Sequence, residues 1–280
     1  MVTKNKKIFG LIGYPVKHSL SAYMHNAAFE YLGLQAHYEL FEVPPPQLED
    51  FFKNINTNNI YGLNVTIPHK ESVMKFVELD FDSTHIQHIR AINTILNKNG
   101  KLIGYNTDIG GFSLDLLEKF NPQHKTVALF GAGGAARAVV YALYKLKAKE
   151  IYVYDINREK LGSLLEMMKK IDSSYPIFGV NSVSDLDIKQ KDLLINATPV
   201  GMKETDPCLI DESMIHKNIF IYDLIYNPKE TRLLKLAKQV KARYSNGLGM
   251  LLYQGILAFK LFTGREAPEE VMKEALWSHL

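Results

Sequence analysis

Residues 130–136 read Phe-Gly-Ala-Gly-Gly-Ala-Ala, and their flanks decide the fold. The apolar run 126–130, Thr-Val-Ala-Leu-Phe, precedes them, and the alanine-rich run 137–143, Arg-Ala-Val-Val-Tyr-Ala-Leu, follows. Strand, glycine turn and helix in that order open a doubly wound nucleotide-binding sheet. Gly131 permits the tight turn, Gly133 lets the backbone approach a pyrophosphate, and Ala136 is small enough for close helix–strand packing. The N–H groups at the helix N-terminus then face the phosphates. An isolated Gly-x-Gly-x-x-Ala is a weak signal, because loops reuse glycine. Here an acidic residue, Asp155, closes the next apolar run, 150–155, near the expected spacing of ~20 residues.

The chain of 280 residues has room for two domains of ordinary size. With 46% hydrophobic and 22% charged residues it has the composition of a globular protein with a real core. The formal net charge is only +3, and Lys4, Lys6 and Lys7 form the one dense basic cluster, at a terminus. No basic stripe carries interleaved aromatics, so nucleic-acid binding is not expected. The single cysteine, Cys208, rules out an internal disulfide and a cysteine-based metal site, and suits a reducing cytoplasm. No apolar run approaches the ~20 residues that span a bilayer. The first residues lack the apolar core of a signal peptide.

Working outward, the N-terminal ~105 residues alternate strands (7–12, 36–43, 61–67) with helices (21–32, 47–54, and one opened by Pro68). A hairpin follows, with strands 91–96 and 102–105 around Asn97-Lys98-Asn99-Gly100. This predicts an open, mostly parallel α/β sheet with an antiparallel edge. A helix over 107–120 links to a second alternating series running to strand 242–245, the Rossmann doubly wound unit. Two helices, 249–262 and 267–276, finish the chain and are free to pack back on the first domain. The expected division is 1–106, completed by 247–280, and 107–246, with the ligand in an interdomain cleft.

Outside the glycine turn, polar residues gather at strand ends, where an open α/β sheet places its ligand. Ser19 and Ser21 follow the first strand and present two hydroxyls to a polyol or carboxylate; Ser21 is equally a helix N-cap, and spacing alone favours the cap. Asn64, Thr66 and Lys70 surround a strand-to-helix turn, where a lysine is ordinarily a solvated surface group. Asn93-Thr94 and Asn106-Thr107-Asp108 form two further clusters, and Asp108 has the position of a helix cap. Gln254 sits in an otherwise apolar helix and needs partners if buried. No His/Asp/Glu set has zinc spacing, and there is neither a Gly-x-Ser-x-Gly elbow nor a Walker loop.

In this order, Gly-x-Pro-Val-x-His-Ser-x-Ser (13–21), Asn-Val-Thr-x-Pro-x-Lys (64–70), Asn-Thr (93–94), Asn-Thr-Asp (106–108), Gly-Ala-Gly-Gly-Ala-x-Arg (131–137), Asn-Ala-Thr-Pro-x-Gly-Met (196–202), Tyr-Asp-x-x-Tyr-x-Pro (222–228) and Gly-x-x-Met-Leu-x-x-Gln (247–254) resemble the signatures of the shikimate dehydrogenase family. The resemblance spans essentially the whole chain. It implies reduction of 3-dehydroshikimate to shikimate with a nicotinamide cofactor and no metal, in cytoplasmic aromatic amino-acid biosynthesis. It implies that Ser19 and Ser21 bind the substrate carboxylate, that Thr66, Asn93, Tyr226 and Gln254 touch the substrate, and that Lys70 and Asp108 act at its reacting hydroxyl. Gly131, Ala132, Gly133, Gly134 and Ala135 would hold the pyrophosphate, with Thr198, Leu224, Gly247 and Met250 around the nicotinamide. A homodimer is left open.

Three positions depart from the family pattern. Ala22 stands where a proline usually follows the second serine, and Arg90 replaces a glycine before Asn93. At the end of the second Rossmann strand, NADP-dependent relatives carry Asn-Arg-Thr, with the arginine on the 2′-phosphate. Here the aligned residues are Asp155-Ile156-Asn157, and Arg158 is displaced by two positions. A registration that restores Asn157-Arg158 to the motif needs a two-residue insertion. The expectation is therefore NAD as preferred cofactor, with NADP as the alternative. Two other readings remain: an NAD-dependent quinate/shikimate dehydrogenase, and a non-catalytic ligand sensor. Retention of both Lys70 and Asp108 argues against the sensor.

Overall fold

The computed structural model describes residues 6–79 and 84–280, so Lys4 of the N-terminal cluster lies outside the described residues. The chain forms two compact units, Met1–Gly111 with Leu251–Leu280, and Phe112–Met250.

The first unit contains β1 (Lys7–Gly13), α1 (Ser21–Tyr31), β2 (Ala36–Glu42), α2 (Leu48–Lys53), β3 (Ile60–Val65), β4 (Glu78–Leu79), α3 (Thr84–Ile89), β5 (Thr94–Lys98), β6 (Lys101–Tyr105) and the start of α4 (Asp108–Lys119). Its six-stranded sheet has the order β2-β1-β3-β5-β6-β4. β1 and the C-terminal half of β3 are buried almost without interruption, as near-continuous apolar strands of a parallel sheet must be. β5 is antiparallel to both β3 and β6, whereas β4 runs parallel to β6. The expected antiparallel edge is thus an internal strand, because the hairpin that produces it inserts β5 against β3 and the chain already contains β4 to cover β6. The hairpin turn is as expected: Asn99 and Gly100 take φ of 57° and 91°, and Gly100 N–H donates to Asn97 Oδ1 at 2.8 Å.

The helix expected to open at Pro68 is absent. His69 N–H donates to Thr66 O at 2.9 Å, closing a turn, and the Lys70 carbonyl accepts from Ile92 N–H at 2.8 Å. A carbonyl used across the chain is not available to an i→i+4 helical bond. Only a short 3₁₀ helix forms, at Ser72–Phe76.

One face of the sheet is covered by a core including Ile12, Leu63, Val65, Ile86 and Ile95. Each such side chain contributes about 1.5–3 kcal/mol through removal from water. The C-terminal helices α8 (Leu248–Thr263) and α9 (Glu269–Trp277) serve the same unit. Phe262 lies 5.0 Å from Phe9, Phe259 lies 5.4 Å from Phe29, and α9 packs along α1.

The second unit contains β7 (Thr126–Phe130), α5 (Gly134–Lys145), β8 (Glu150–Tyr154), α6 (Arg158–Ile171), β9 (Ile177–Gly179), β10 (Leu193–Asn196), β11 (Phe220–Asp223), α7 (Arg232–Gln239) and β12 (Arg243–Ser245). Its sheet order is β12-β11-β10-β7-β8-β9, with every pairing parallel. The chain winds one way from β7 to β9 and the other way from β10 to β12. The switch point therefore lies at the carboxyl ends of β7 and β10, directly before the glycine turn. No helix among the described residues is long and apolar enough to cross a membrane, and no group of three or more His, Cys, Asp or Glu among them has metal-binding geometry.

Candidate active site

In the first unit, β3 delivers the chain to the Thr66–Lys70 turn, and the Lys70 carbonyl ties that turn to the segment before β5. Asn93 is held there by its main chain: its N–H donates to Tyr105 O at 3.2 Å and its carbonyl accepts from Val65 N–H at 2.8 Å. Asp108 is the first residue of α4, yet the helix is capped by Asn106, whose Oδ1 accepts from Ile109 N–H at 3.3 Å. Both oxygens of Asp108 are left to side chains. Lys70 Nζ lies 2.5 Å from Oδ2, and Asn93 Nδ2 donates to Oδ1 at 2.8 Å. The two charged side chains are 14% and 5% exposed.

Asn93 is the hub. Its Oδ1 accepts from Thr107 N–H at 2.6 Å, which fixes the amide so that Nδ2 faces Asp108 and, at 3.4 Å, Gln254 Oε1. Gln254 comes from α8, and its own Nε2 donates to Leu251 O at 2.9 Å. Residues far apart in the chain thus meet as Lys70, Asn93, Asp108 and Gln254. Such a cluster can hold a polyol by several hydrogen bonds while one ammonium, charge-balanced by one carboxylate, exchanges a proton. Thr107, which locks Asn93, had no role assigned from sequence; its only signal was its place between Asn106 and Asp108.

Ser19 and Ser21 form their own pair, with Ser19 Oγ donating to Ser21 Oγ at 3.2 Å. Ser21 is not a helix cap. The N-cap of α1 is Leu20, with no side-chain hydrogen bond, and Ser21 is the first helical residue. Its N–H donates to Ser19 Oγ at 3.3 Å, so the upstream serine serves the helix start. Thr66 is fixed by its N–H on Ile12 O at 2.9 Å.

In the second unit, Gly131 has φ of 104°, and a Cβ there would meet Ala197 O at 2.9 Å, so only glycine fits. Gly133 is the N-cap of α5 with no side-chain cap, and a Cβ there would meet nothing within 4 Å. That open backbone face ahead of a helix N-terminus fits a dinucleotide pyrophosphate over Gly131, Ala132, Gly133, Gly134 and Ala135. Asp155, at the tip of β8, accepts from Ala132 N–H and Asn157 N–H, each at 2.7 Å. Asn157 caps α6 by accepting from Lys160 N–H at 3.0 Å. Arg158 is turned to the chain itself and donates to Val180 O at 2.7 Å and Asn181 O at 2.5 Å. Ile156 is 89% exposed.

Thr198, Leu224 and Gly247 come together at the carboxyl ends of β10, β11 and β12. Leu224 N–H donates to Asn196 O at 2.9 Å, and a Cβ on Gly247 would lie 2.0 Å from Leu224 O. Asn196 Oδ1 accepts from Thr198 N–H at 3.0 Å and Thr198 Oγ at 2.7 Å. Behind it, Asp223 accepts from Asn196 Nδ2, Ile225 N–H and Thr231 Oγ. Burial pushes the Asp223 carboxyl up to about 6. Asn196 and Asp223 support this end of the sheet, a role that their place in two motifs did not reveal. Tyr226 follows Leu224 by two residues and is half-buried, and Met250 is buried.

Residues 11–95 match the substrate-binding domain of shikimate dehydrogenases, and residues 247–276 match the C-terminal domain of shikimate 5′-dehydrogenases. A shikimate dehydrogenase (NADP(+)) from Methanopyrus kandleri is 44% identical over 286 aligned positions, covering 100% of this chain and 98% of that one. The crystal structure of shikimate dehydrogenase from Aquifex aeolicus superposes with a TM-score of 0.87 at 37% identity, over 99% of both chains. Shikimate 5-dehydrogenase from Listeria monocytogenes, in complex with shikimate and NAD, gives 0.83 at 33% identity over 98% and 97%. The fold and these likenesses place the protein among the nicotinamide-dependent oxidoreductases built from two α/β units. Within that class, the chain belongs to the shikimate dehydrogenase family.

Proposed function

We propose that the chain interconverts shikimate and 3-dehydroshikimate by hydride transfer, with Lys70 and Asp108 as its acid–base pair. The observation that carries this reading is the 2.5 Å contact of Lys70 Nζ with Asp108 Oδ2, in a cluster that Asn93 and Gln254 complete. A bound nicotinamide dinucleotide supplies or takes the hydride. When a ketone is reduced, the electron pair of the breaking C=O π bond goes to oxygen. The Lys70 ammonium, within reach of that oxygen, stabilises the developing charge and delivers the proton that makes the hydroxyl. In the oxidative direction Lys70 takes the proton back. Asp108 keeps the lysine oriented through its contact with Nζ. Ser19 and Ser21 offer two adjacent hydroxyls to the substrate carboxylate, and Thr66 is a further substrate contact.

NAD is the proposed preferred cofactor. Support comes from the Asp155 carboxylate beside the glycine turn, the position from which an acidic residue accepts the ribose hydroxyls. The arginine that could answer a 2′-phosphate, Arg158, is bound to the carbonyls of Val180 and Asn181. Relatives such as the Methanopyrus enzyme are named for NADP(+), while the Listeria complex holds NAD. Initial rates of the purified protein with shikimate and with quinate, each against NAD and NADP, test substrate and cofactor together. Oxidation of shikimate with NAD fits; turnover with quinate alone, or binding without turnover, does not.

A further inference from the structure

Tyr38, on β2, is 1% exposed, and its hydroxyl donates to Asn64 Oδ1 at 2.8 Å. From Asn64 a buried run of hydrogen bonds leads to the acid–base pair. Asn64 Nδ2 donates to the Asn93 carbonyl at 3.3 Å and to Thr94 Oγ at 3.0 Å. Thr94 Oγ donates to Asn93 Oδ1 at 3.1 Å, and Asn93 Nδ2 donates to Asp108 Oδ1 at 2.8 Å. Asn64, Asn93, Thr94 and Asp108 are all buried.

The Tyr38 phenol, giving its one proton to Asn64 Oδ1, supports the amide orientation that the rest of the run requires. Nδ2 must then face Asn93. A reversed amide would press Oδ1 against the Asn93 carbonyl, acceptor against acceptor, among buried side chains. Tyr38 is itself rigidly placed. Asn26 of α1 grips its main chain on both sides, with Nδ2 on Tyr38 O at 3.0 Å and Oδ1 on Tyr38 N–H at 2.8 Å. The His25 imidazole lies flat on its ring, 4.4 Å between centroids and 1° between planes.

We infer that Tyr38 is a positioning residue for the Lys70–Asp108 pair, acting through Asn64 on the main chain of Asn93. The inference rests on the shikimate dehydrogenase reading. It needs the hydroxyl alone, because phenylalanine keeps the ring and its stack on His25.

A double-mutant cycle tests it: Tyr38→Phe, Asn64→Ala and both together, with kcat and KM for shikimate, the pH dependence of kcat, and thermal unfolding. Tyr38→Phe is expected to lower kcat roughly five- to tenfold, more than it raises KM, and to shift the pH profile. In the Asn64→Ala background the same change is expected to have no further effect. An equal effect in both backgrounds, or a lowered Tm with unchanged kcat and pH profile, overturns the inference while leaving the activity standing. If Asn64→Ala does not fold, the single variant decides: unchanged kcat and pH profile overturn it. Absence of shikimate turnover by the wild-type chain overturns both.

Discussion

Asn106 Oδ1 accepts from Ile109 N–H at 3.3 Å and so takes over the capping of α4 that Asp108 would otherwise provide. Its Nδ2 meanwhile donates to Ala91 O at 2.8 Å, locking the helix start to the segment that carries Asn93. The two residues therefore separate on mutation. Asn106→Ala should cost about 1–2 kcal/mol of stability, from a lost cap and an orphaned carbonyl. Asp108→Asn should lower kcat by at least about tenfold, because Lys70 loses its counter-charge while the shape is kept, and the ammonium left without its partner costs stability as well. Denaturant unfolding with steady-state rates on both variants checks this; a full-speed Asp108→Asn enzyme would remove Asp108 from the chemistry.

Cofactor choice should turn on Asp155. A 2′-phosphate about 4 Å from that carboxylate would be repelled by about 4 kcal/mol at an effective dielectric of 20. Even a third of that is roughly tenfold in affinity. The measurement is kcat/KM for NAD and NADP in wild type and Asp155→Asn. NAD preference in the wild type should shrink in the variant; a wild-type preference for NADP would show that Asp155 does not set cofactor choice.

His25 makes acid stability a sharp test. It is buried among Phe29, Tyr38, Phe259 and Phe262, neither ring nitrogen has a hydrogen-bond partner, and burial lowers its pKa from 6.5 to about 3. Above pH 6.5 the ring is neutral, folded or unfolded. As pH falls from 6.5 towards 3, the unfolded chain takes a proton that the folded one refuses, so stability drops by about 1.4 kcal/mol per pH unit. Asp223 acts in the opposite sense: with its pKa raised from 3.8 to about 6, stability falls as pH rises through that window. His25→Leu should remove the acid-side loss and expose the Asp223 slope in urea titrations between about pH 4 and 6. The same pH dependence in variant and wild type would count against a buried neutral His25.

Arg90 occupies a left-handed conformation, φ 53°, at the end of α3, where its N–H donates to Ile86 O at 2.9 Å. The departure from glycine in sequence thus leaves a glycine-like backbone in place. Arg90→Gly should stabilise the protein by on the order of 0.5–1 kcal/mol, since relief of the αL penalty exceeds the added freedom of the unfolded chain. Loss of stability in a thermal melt would show that the arginine side chain holds the loop.

What sequence made legible follows from where the information is local. The β7–α5 unit and its glycine turn could be read because the apolar run Thr126–Phe130, the glycines and the alanine-rich run Gly134–Lys145 follow one another directly in sequence. That Lys70 and Asp108 belong together was suggested only by resemblance, since no spacing relates them; the structure brings Lys70 Nζ to 2.5 Å from Asp108 Oδ2. Tertiary context decided the rest. The Lys70 carbonyl goes to Ile92 rather than into a helix, and β5 inserts between β3 and β6 rather than at an edge. Ser21 left the capping position to Leu20 because Ser19 already serves its N–H. The two-residue β4 and the six-residue α3 are too short to carry a periodic signal.

The proposed role of Lys70 as the proton carrier in shikimate oxidoreduction can be tested on one variant. The direct measurement is the rate of shikimate-dependent formation of reduced nicotinamide by wild type and by Lys70→Ala, with shikimate affinity measured separately by calorimetry. The wild type should turn over, and Lys70→Ala should lose at least ~10²-fold in turnover with a smaller change in shikimate binding. Near-normal turnover in Lys70→Ala, or no turnover by the wild type, would contradict it.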